Sequence, residues 1–199
     1  MSHSPGGAGT ESVARRALSA TPALGPVRLV GIDGHAGSGK STFAGRLSSA
    51  LGGAPVVRLD DLAEHDALFD WAGLLERRVL GPLRQGRQAR FPAYDWVRRA
   101  RGPERVVPPA PVVLLEGVGA GRRSVRPSLS LLVWLDVDRE AAWRRGRERD
   151  GPEQAGFWDG WERAEAAHFA DDPSLPHADL LLVPGDGGYT TRVPRPGAR

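Results

Sequence analysis

The residues best suited to chemistry lie in one stretch, GHAGSGKST (34–42), where Gly34, Gly39, Lys40 and Ser41 keep the spacing G-x-x-x-x-G-K-[ST]. Glycines at these points let the backbone curl until successive N–H groups face a common centre, and the positive end of a following helix adds to their field. Such a centre holds phosphate. The lysine ammonium can then reach the β and γ oxygens of a nucleoside triphosphate, and the serine hydroxyl can ligate Mg²⁺. The expected phosphate contacts are Gly34, Ala36, Gly37, Ser38, Gly39, Lys40, Ser41 and Thr42. Lys40 is the one lysine among 27 Lys and Arg residues. A flexible ammonium can follow a migrating phosphoryl group, whereas a planar guanidinium is bulkier and more demanding in geometry.

A phosphate loop of this kind works between a strand and a helix. Short apolar runs at Val27–Asp33, Pro55–Asp60, Val112–Glu116, Leu131–Asp136 and Asp179–Val183 read as strands, most of them continuously apolar as in parallel sheets covered on both faces. Between them, Ser41–Leu51 places Phe43, Leu47 and Leu51 on one helix face and stops at Gly52-Gly53. Asp70–Leu80 carries Trp71, Leu74, Leu75 and Val79 before Gly81-Pro82. Asp138–Arg149 opens on a capping residue and is strongly basic, Trp158–Phe169 is amphipathic, and Glu11–Ala20 forms a further short helix. The alternation predicts a three-layer α/β/α fold with a mainly parallel five-stranded sheet over residues 27–185. Residues 1–26 are expected to be a flexible segment containing the short helix, and 186–199 a flexible tail.

Phosphoryl transfer to a hydroxyl also needs carboxylates at the carboxyl edge of the sheet, one for the metal and one to orient or deprotonate the acceptor. Asp60-Asp61 ends the second strand and Glu116 the third. A GTPase would need another lysine in its guanine-reading Asn-Lys-x-Asp segment, and the chain has none. The Leu-Ser-Gly-Gly-Gln signature of transporter ATPases is absent too, and 199 residues are few for a motor or helicase. A small kinase remains.

The segments VVRLDDL (56–62), FPAYDW (91–96), VVLLEGVGA (112–120), RRGRERD (144–150) and HADLLL (177–182) follow the order of landmarks in the uridine kinase family and its relatives, among them the nicotinamide riboside kinases. The chain resembles that family from about Val27 to Val183. The resemblance implies ATP-dependent phosphorylation of a nucleoside-like small molecule, uridine or cytidine first, with Mg²⁺. It gives Asp60 the part of base and water-mediated metal support, and Glu116 that of metal support beside Ser41. Tyr94 and Trp96 fall in the acceptor pocket, Arg101 becomes a basic substrate contact, and Asp70 matches an acid that binds sugar hydroxyls. Arg145 and Arg149, four apart on one helix face, match a mobile lid that stabilises the transferring group together with Lys40. Two acceptor-pocket positions depart from the pattern: Arg99 stands where a histidine is common, and Leu62 where an aromatic is usual. Trp158 and Trp161 read as core residues, and His35 as an exposed, variable loop position.

Composition fits one domain, with 40% hydrophobic and 26% charged residues. Absence of cysteine excludes a disulfide framework and thiolate-bound zinc. No apolar run approaches the roughly 18 residues of a membrane span, and the first residues lack the order of a signal peptide. A cytoplasmic protein without a membrane partner is expected. The pI is near 10.1 but the net charge is only +3, so the high pI reflects arginine in place of lysine and nucleic acid is not the expected partner. A rival reading is a nucleotide-binding regulatory or nucleic-acid-associated protein with little transfer activity. Asp60 and Glu116 speak against it, because nucleotide binding alone needs neither.

Overall fold

The computed structural model describes residues 8–185 and 188–194. In chain order these form α1 (Ala8–Ser19), β1 (Arg28–Asp33), α2 (Lys40–Ala50), β2 (Val56–Arg58), α3 (Ala72–Leu75), α4 (Gly81–Arg84), β3 (Ala89–Asp95), β4 (Ala100–Val107), β5 (Val112–Glu116), β6 (Leu129–Leu135), α5 (Arg139–Asp150), α6 (Ala155–Asp171), β7 (Leu180–Gly185) and β8 (Gly188–Arg192). The main sheet has the order β2-β5-β1-β6-β7-β8, and β3 and β4 make a separate antiparallel hairpin. The first five strands of that order are parallel, as expected, while β8 returns antiparallel along β7.

Two expected ends therefore need correction. Gly188–Arg192 is an edge strand of the sheet, anchored where Tyr189 meets Phe43 edge-on at 5.0 Å between ring centres. The N-terminal helix is likewise part of the fold, because Val13, Ala14 and Ala17 are buried in the same cluster as Phe43 and Leu47. The flexibility expected at 1–7, 186–187 and 195–199 lies outside the described residues.

Strand β5 shows how the three layers arise from sequence. Its residues are buried on both faces, with Val113 and Leu115 in one core cluster and Val112 and Leu114 in the other. Alternation of side chains across a strand requires this division, and a continuous apolar run is its mark in the sequence. The first cluster is covered by Trp71, Leu75, Val79 and Leu83, the second by α1 and α2.

The helix expected over Asp70–Leu80 is broken differently from its sequence reading. It begins at Ala72, widens into a π-turn at Glu76–Leu80, and continues past Gly81-Pro82 to Arg84. Pro82 has no N–H to give to the turn before it, so the ladder loosens ahead of the ring, and the proline then starts the next helical turn, where the missing donor costs little.

Strand β1 is the switch point of the sheet, with β5 on one side and β6 on the other. In open α/β sheets the ligand crevice forms beyond the carboxyl ends of the strands at such a point. Register aligns these ends: Glu116 lies opposite both Ile32 and Arg58, so the loop after β1, the turn after β2 and the end of β5 emerge side by side. Among the described residues no helix is long and apolar enough to cross a membrane.

Candidate active site

Helix α2 starts directly at Lys40, preceded by Gly39 in the left-handed region (φ 96°) and without a side-chain cap. Its first N–H groups are thus left to face the glycine loop, as an anion site requires. Gly37 also has a positive φ of 79°, and a Cβ there would overlap the carbonyl oxygen of Ala142 in α5. The loop is therefore pressed against the backbone of α5. Gly37→Ala is expected to destabilise the protein by about 1–3 kcal/mol, through left-handed strain and the shift forced on α5. Thermal unfolding of the variant beside the unaltered protein measures the loss.

Lys40 is buried at 6% exposure, and its Nζ donates to the carbonyls of Gly34 (3.0 Å) and His35 (2.9 Å). Beside it, Ser41 Oγ donates to Glu116 Oε1 at 3.1 Å. Burial raises the Glu116 pKa above the ordinary carboxylate range; Lys40 opposes the rise and Asp60 adds to it. Asp60 lies in the turn Leu59–Asp61 after β2 and keeps one face open to solvent. Protein surrounds its carboxyl on the other sides, and this loss of water raises its pKa also, against the pull of Lys40 and with a further push from Asp61. One hydroxyl and two carboxylates are hard oxygen donors suited to Mg²⁺, which takes one or two carboxylates and completes its shell from phosphate and water. Among the described residues no three His, Cys, Asp or Glu side chains cluster to hold a metal unaided.

These groups line a cleft of about 920 Å³. Of the residues singled out from sequence, it brings together Ala36, Gly37, Gly39, Lys40, Ser41, Thr42, Asp60, Trp96, Glu116, Arg145 and Arg149. Gly34 and Ser38 are buried parts of the loop that do not line the cleft. Ala36 lines the cleft, but its N–H donates to Glu165 Oε2 at 3.0 Å and so does not join the phosphate cradle. Arg149 is held by Asp150 (Nε to Oδ1, 2.6 Å), which also accepts from Trp158 Nε1 at 3.1 Å.

The other end of the cleft is built by the β3–β4 hairpin. Asp95 Oδ1 accepts from the N–H groups of Val97 and Arg98, and Arg99 turns the chain with φ 52°. The tip carries Trp96, Val97 and Arg99 into the cleft, where Trp96 Nε1 donates to the Asp60 carbonyl at 3.0 Å. Tyr94 stands one layer back, its hydroxyl 3.0 Å from His65 Nδ1. Arg101 packs over the Tyr94 ring and donates to the carbonyls of Asp61 (3.1 Å) and Leu62 (2.9 Å) and to the Glu64 carboxylate. It thus braces the turn that carries Asp60 instead of lining the cleft. Asp70 is exposed just ahead of α3 and outside the lining, because the chain points outward there before Trp71 enters the core.

Several cleft residues carry little local signal. His65, whose pKa is lowered by burial and by Arg99, packs 4.8 Å from Trp96 and 5.9 Å from Phe157. Trp158 and Trp161 are buried, as expected of core residues, yet one edge of each reaches the cleft. His35 is half-buried and bonded to Glu165, contrary to its reading as an exposed position. The i, i+4 spacing of Trp161 and Glu165 was the one available hint of that carboxylate's environment.

Residues 65–157 match the model of the phosphoribulokinase/uridine kinase family. The chain is 29% identical over 185 residues to the uridine kinase of Halobacterium salinarum, covering 80% of this chain and 81% of the relative. It is 30% identical over 146 residues to the uridine kinase of Deinococcus deserti, covering 63% and 70% respectively. A possible uridine kinase from Bacillus stearothermophilus has a similar fold, with a TM-score of 0.65 at 21% identity over 86% of this chain and 96% of that one. With the loop, the strand order and the paired carboxylates in place, these likenesses show that the chain belongs to the phosphoribulokinase/uridine kinase family of P-loop kinases.

Proposed function

We propose that the protein transfers the γ-phosphoryl group of Mg·ATP to a hydroxyl of a nucleoside-like small molecule. The observation that carries this reading is the convergence of Lys40, the Ser41–Glu116 pair and Asp60 on one cleft whose far end is aromatic. A site for nucleotide alone needs the loop; a carboxylate between it and an acceptor-sized space is what transfer adds. The loop amides and Lys40 hold the phosphates, while Ser41, Glu116 and Asp60 supply oxygens for Mg²⁺, which neutralises charge on the phosphates when bound. Asp60 takes the acceptor's hydroxyl proton as the new O–P bond forms and the bond to ADP breaks. Arg145 and Arg149 meet the charge that spreads over the transferring group. Trp96, held by the Asp60 carbonyl, offers a face on which a base can stack, with Tyr94 and Arg101 supporting that wall from behind.

Uridine is the acceptor in the names of the relatives, and cytidine stands beside it as the acceptor the sequence resemblance implies. The test is ADP release from Mg·ATP across a panel of nucleosides, nicotinamide riboside and pantothenate. One acceptor should raise turnover well above hydrolysis by water. If no acceptor does so while ATP still binds, and duplex affinity falls steeply with added salt, the arginines serve a nucleic-acid partner instead.

A further inference from the structure

Glu165 has no solvent exposure. An ionised carboxylate is costly in that position unless its lone pairs are used. All four acceptor positions are occupied. Oε1 meets His35 Nδ1 at 2.7 Å and Trp143 Nε1 at 3.0 Å, while Oε2 accepts from the Ala36 N–H at 3.0 Å and Trp161 Nε1 at 2.9 Å. Burial pushes the Glu165 pKa up, but the bonds from His35, Ala36 and Trp161 outweigh it and hold the group below the ordinary carboxylate range.

The donors come from separate parts of the catalytic apparatus. His35 and Ala36 belong to the phosphate loop, and Trp143 lies on α5, the helix that carries Arg145 and Arg149. The same two pieces touch directly where Gly37 abuts Ala142, and α5 meets α6 where Gly146 lies against Trp158. Arg147 adds pairs to Asp159 (2.6 Å) and Glu162 (2.7 Å), but these are at the surface and join α5 to α6 alone. Glu165 is the carboxylate that bonds both to the loop and to α5.

We infer that Glu165 is a positioning residue that fixes the phosphate loop against α5, so that Lys40 and the α5 arginines act on one phosphoryl group in a single relative arrangement. The inference rests on the kinase reading for its effect on turnover, though the tie itself does not. A longer-range consequence is that loosening either element loosens the other.

Two variants test this. Glu165→Gln keeps the shape but presents an amide N–H to donors at one of the two oxygen positions, and Trp143→Phe removes the bond from α5 while keeping an aromatic ring beside His35 and Arg139. In the nucleotide-free protein, hydrogen–deuterium exchange should speed at least tenfold in both the 34–42 and 139–150 segments for Glu165→Gln. Trp143→Phe should speed both to a lesser degree. With the acceptor identified by the panel, kcat should fall about 10- to 100-fold in Glu165→Gln, while acceptor KM stays within about threefold, the pattern of a misplaced catalytic group. The double variant should be no slower than Glu165→Gln, because both changes cut one connection. Exchange that rises in one segment alone, or kcat effects that multiply in the double variant, would overturn the inference. So would an unchanged kcat in folded Glu165→Gln. If the wild-type protein transfers to no acceptor, the kinase reading falls, whereas paired loosening of the two segments would still uphold the tie.

Discussion

Asp60→Asn is expected to lower acceptor-dependent ADP release by about 10²–10⁴-fold, the usual contribution of a positioned general base. The same change should make the nucleotide-free protein more stable at neutral pH. Burial raises the Asp60 pKa, and a carboxyl with a raised folded value binds a proton in the native state over a range where the unfolded chain has already released it. Its contribution is then full below the ordinary carboxylate value, about 3.9, and is lost as pH rises through the folded value. Asparagine has no proton to lose, so the stability gain of the variant should appear across that window and persist above it. Thermal unfolding of both proteins from acid to neutral pH, beside steady-state ADP release, reads the two effects together. Retained turnover would remove Asp60 from the chemistry, and a variant less stable at neutral pH would show that its charge is well accommodated.

Lys40→Ala should cut phosphoryl transfer by about 10²–10³-fold, as removal of one donor aimed at developing charge does in enclosed sites. Lys40→Arg should rescue little of it. The ammonium is buried and fits between the Gly34 and His35 carbonyls, where a planar five-donor fork cannot enter without moving the loop. Single-turnover transfer from Mg·ATP, measured with nucleotide affinity, separates the outcomes. A loss confined to affinity would make Lys40 a ground-state anchor, and full activity in the arginine variant would mean that charge alone suffices.

How much of this was legible in the sequence differed sharply between elements. The phosphate loop was clear because its chemistry is local: the glycines, Lys40 and Ser41 are contiguous and need only a strand before and a helix after. β5 was clear because burial on both faces leaves an unbroken apolar run, and α5 because Asp138 caps it, accepting from the Ala141 N–H at 2.9 Å. The β3–β4 hairpin was not, because Pro92, Pro103 and the arginines of a largely exposed β4 erase the alternation that marks a half-buried strand. Asp70 was matched through the resemblance of the short segment LFDW, which says nothing of direction where a loop enters a helix, and it stands exposed outside the cleft lining. Glu165 looked like one more charge on an amphipathic helix. Its burial is made by residues 22 and 130 positions away, Trp143 and His35, which no local pattern records.

The meeting of α1 with β8 bears on the order of folding. Gly9 has no side chain where the helix crosses Tyr189, so the first described helix lies against the last described strand. A chain made from its amino end completes α1 well before β8, and domains tend to consolidate as synthesis proceeds. The apolar stripe of Val13 and Ala17 can meet α2 soon after it forms, but it gains its cover from β8 only when that strand arrives. Contacts of such high sequence separation are slow to close. The closing of this outer seam, on the far side of the sheet from the hairpin, should therefore follow the laying out of the carboxyl edge that bears Lys40, Asp60 and Glu116.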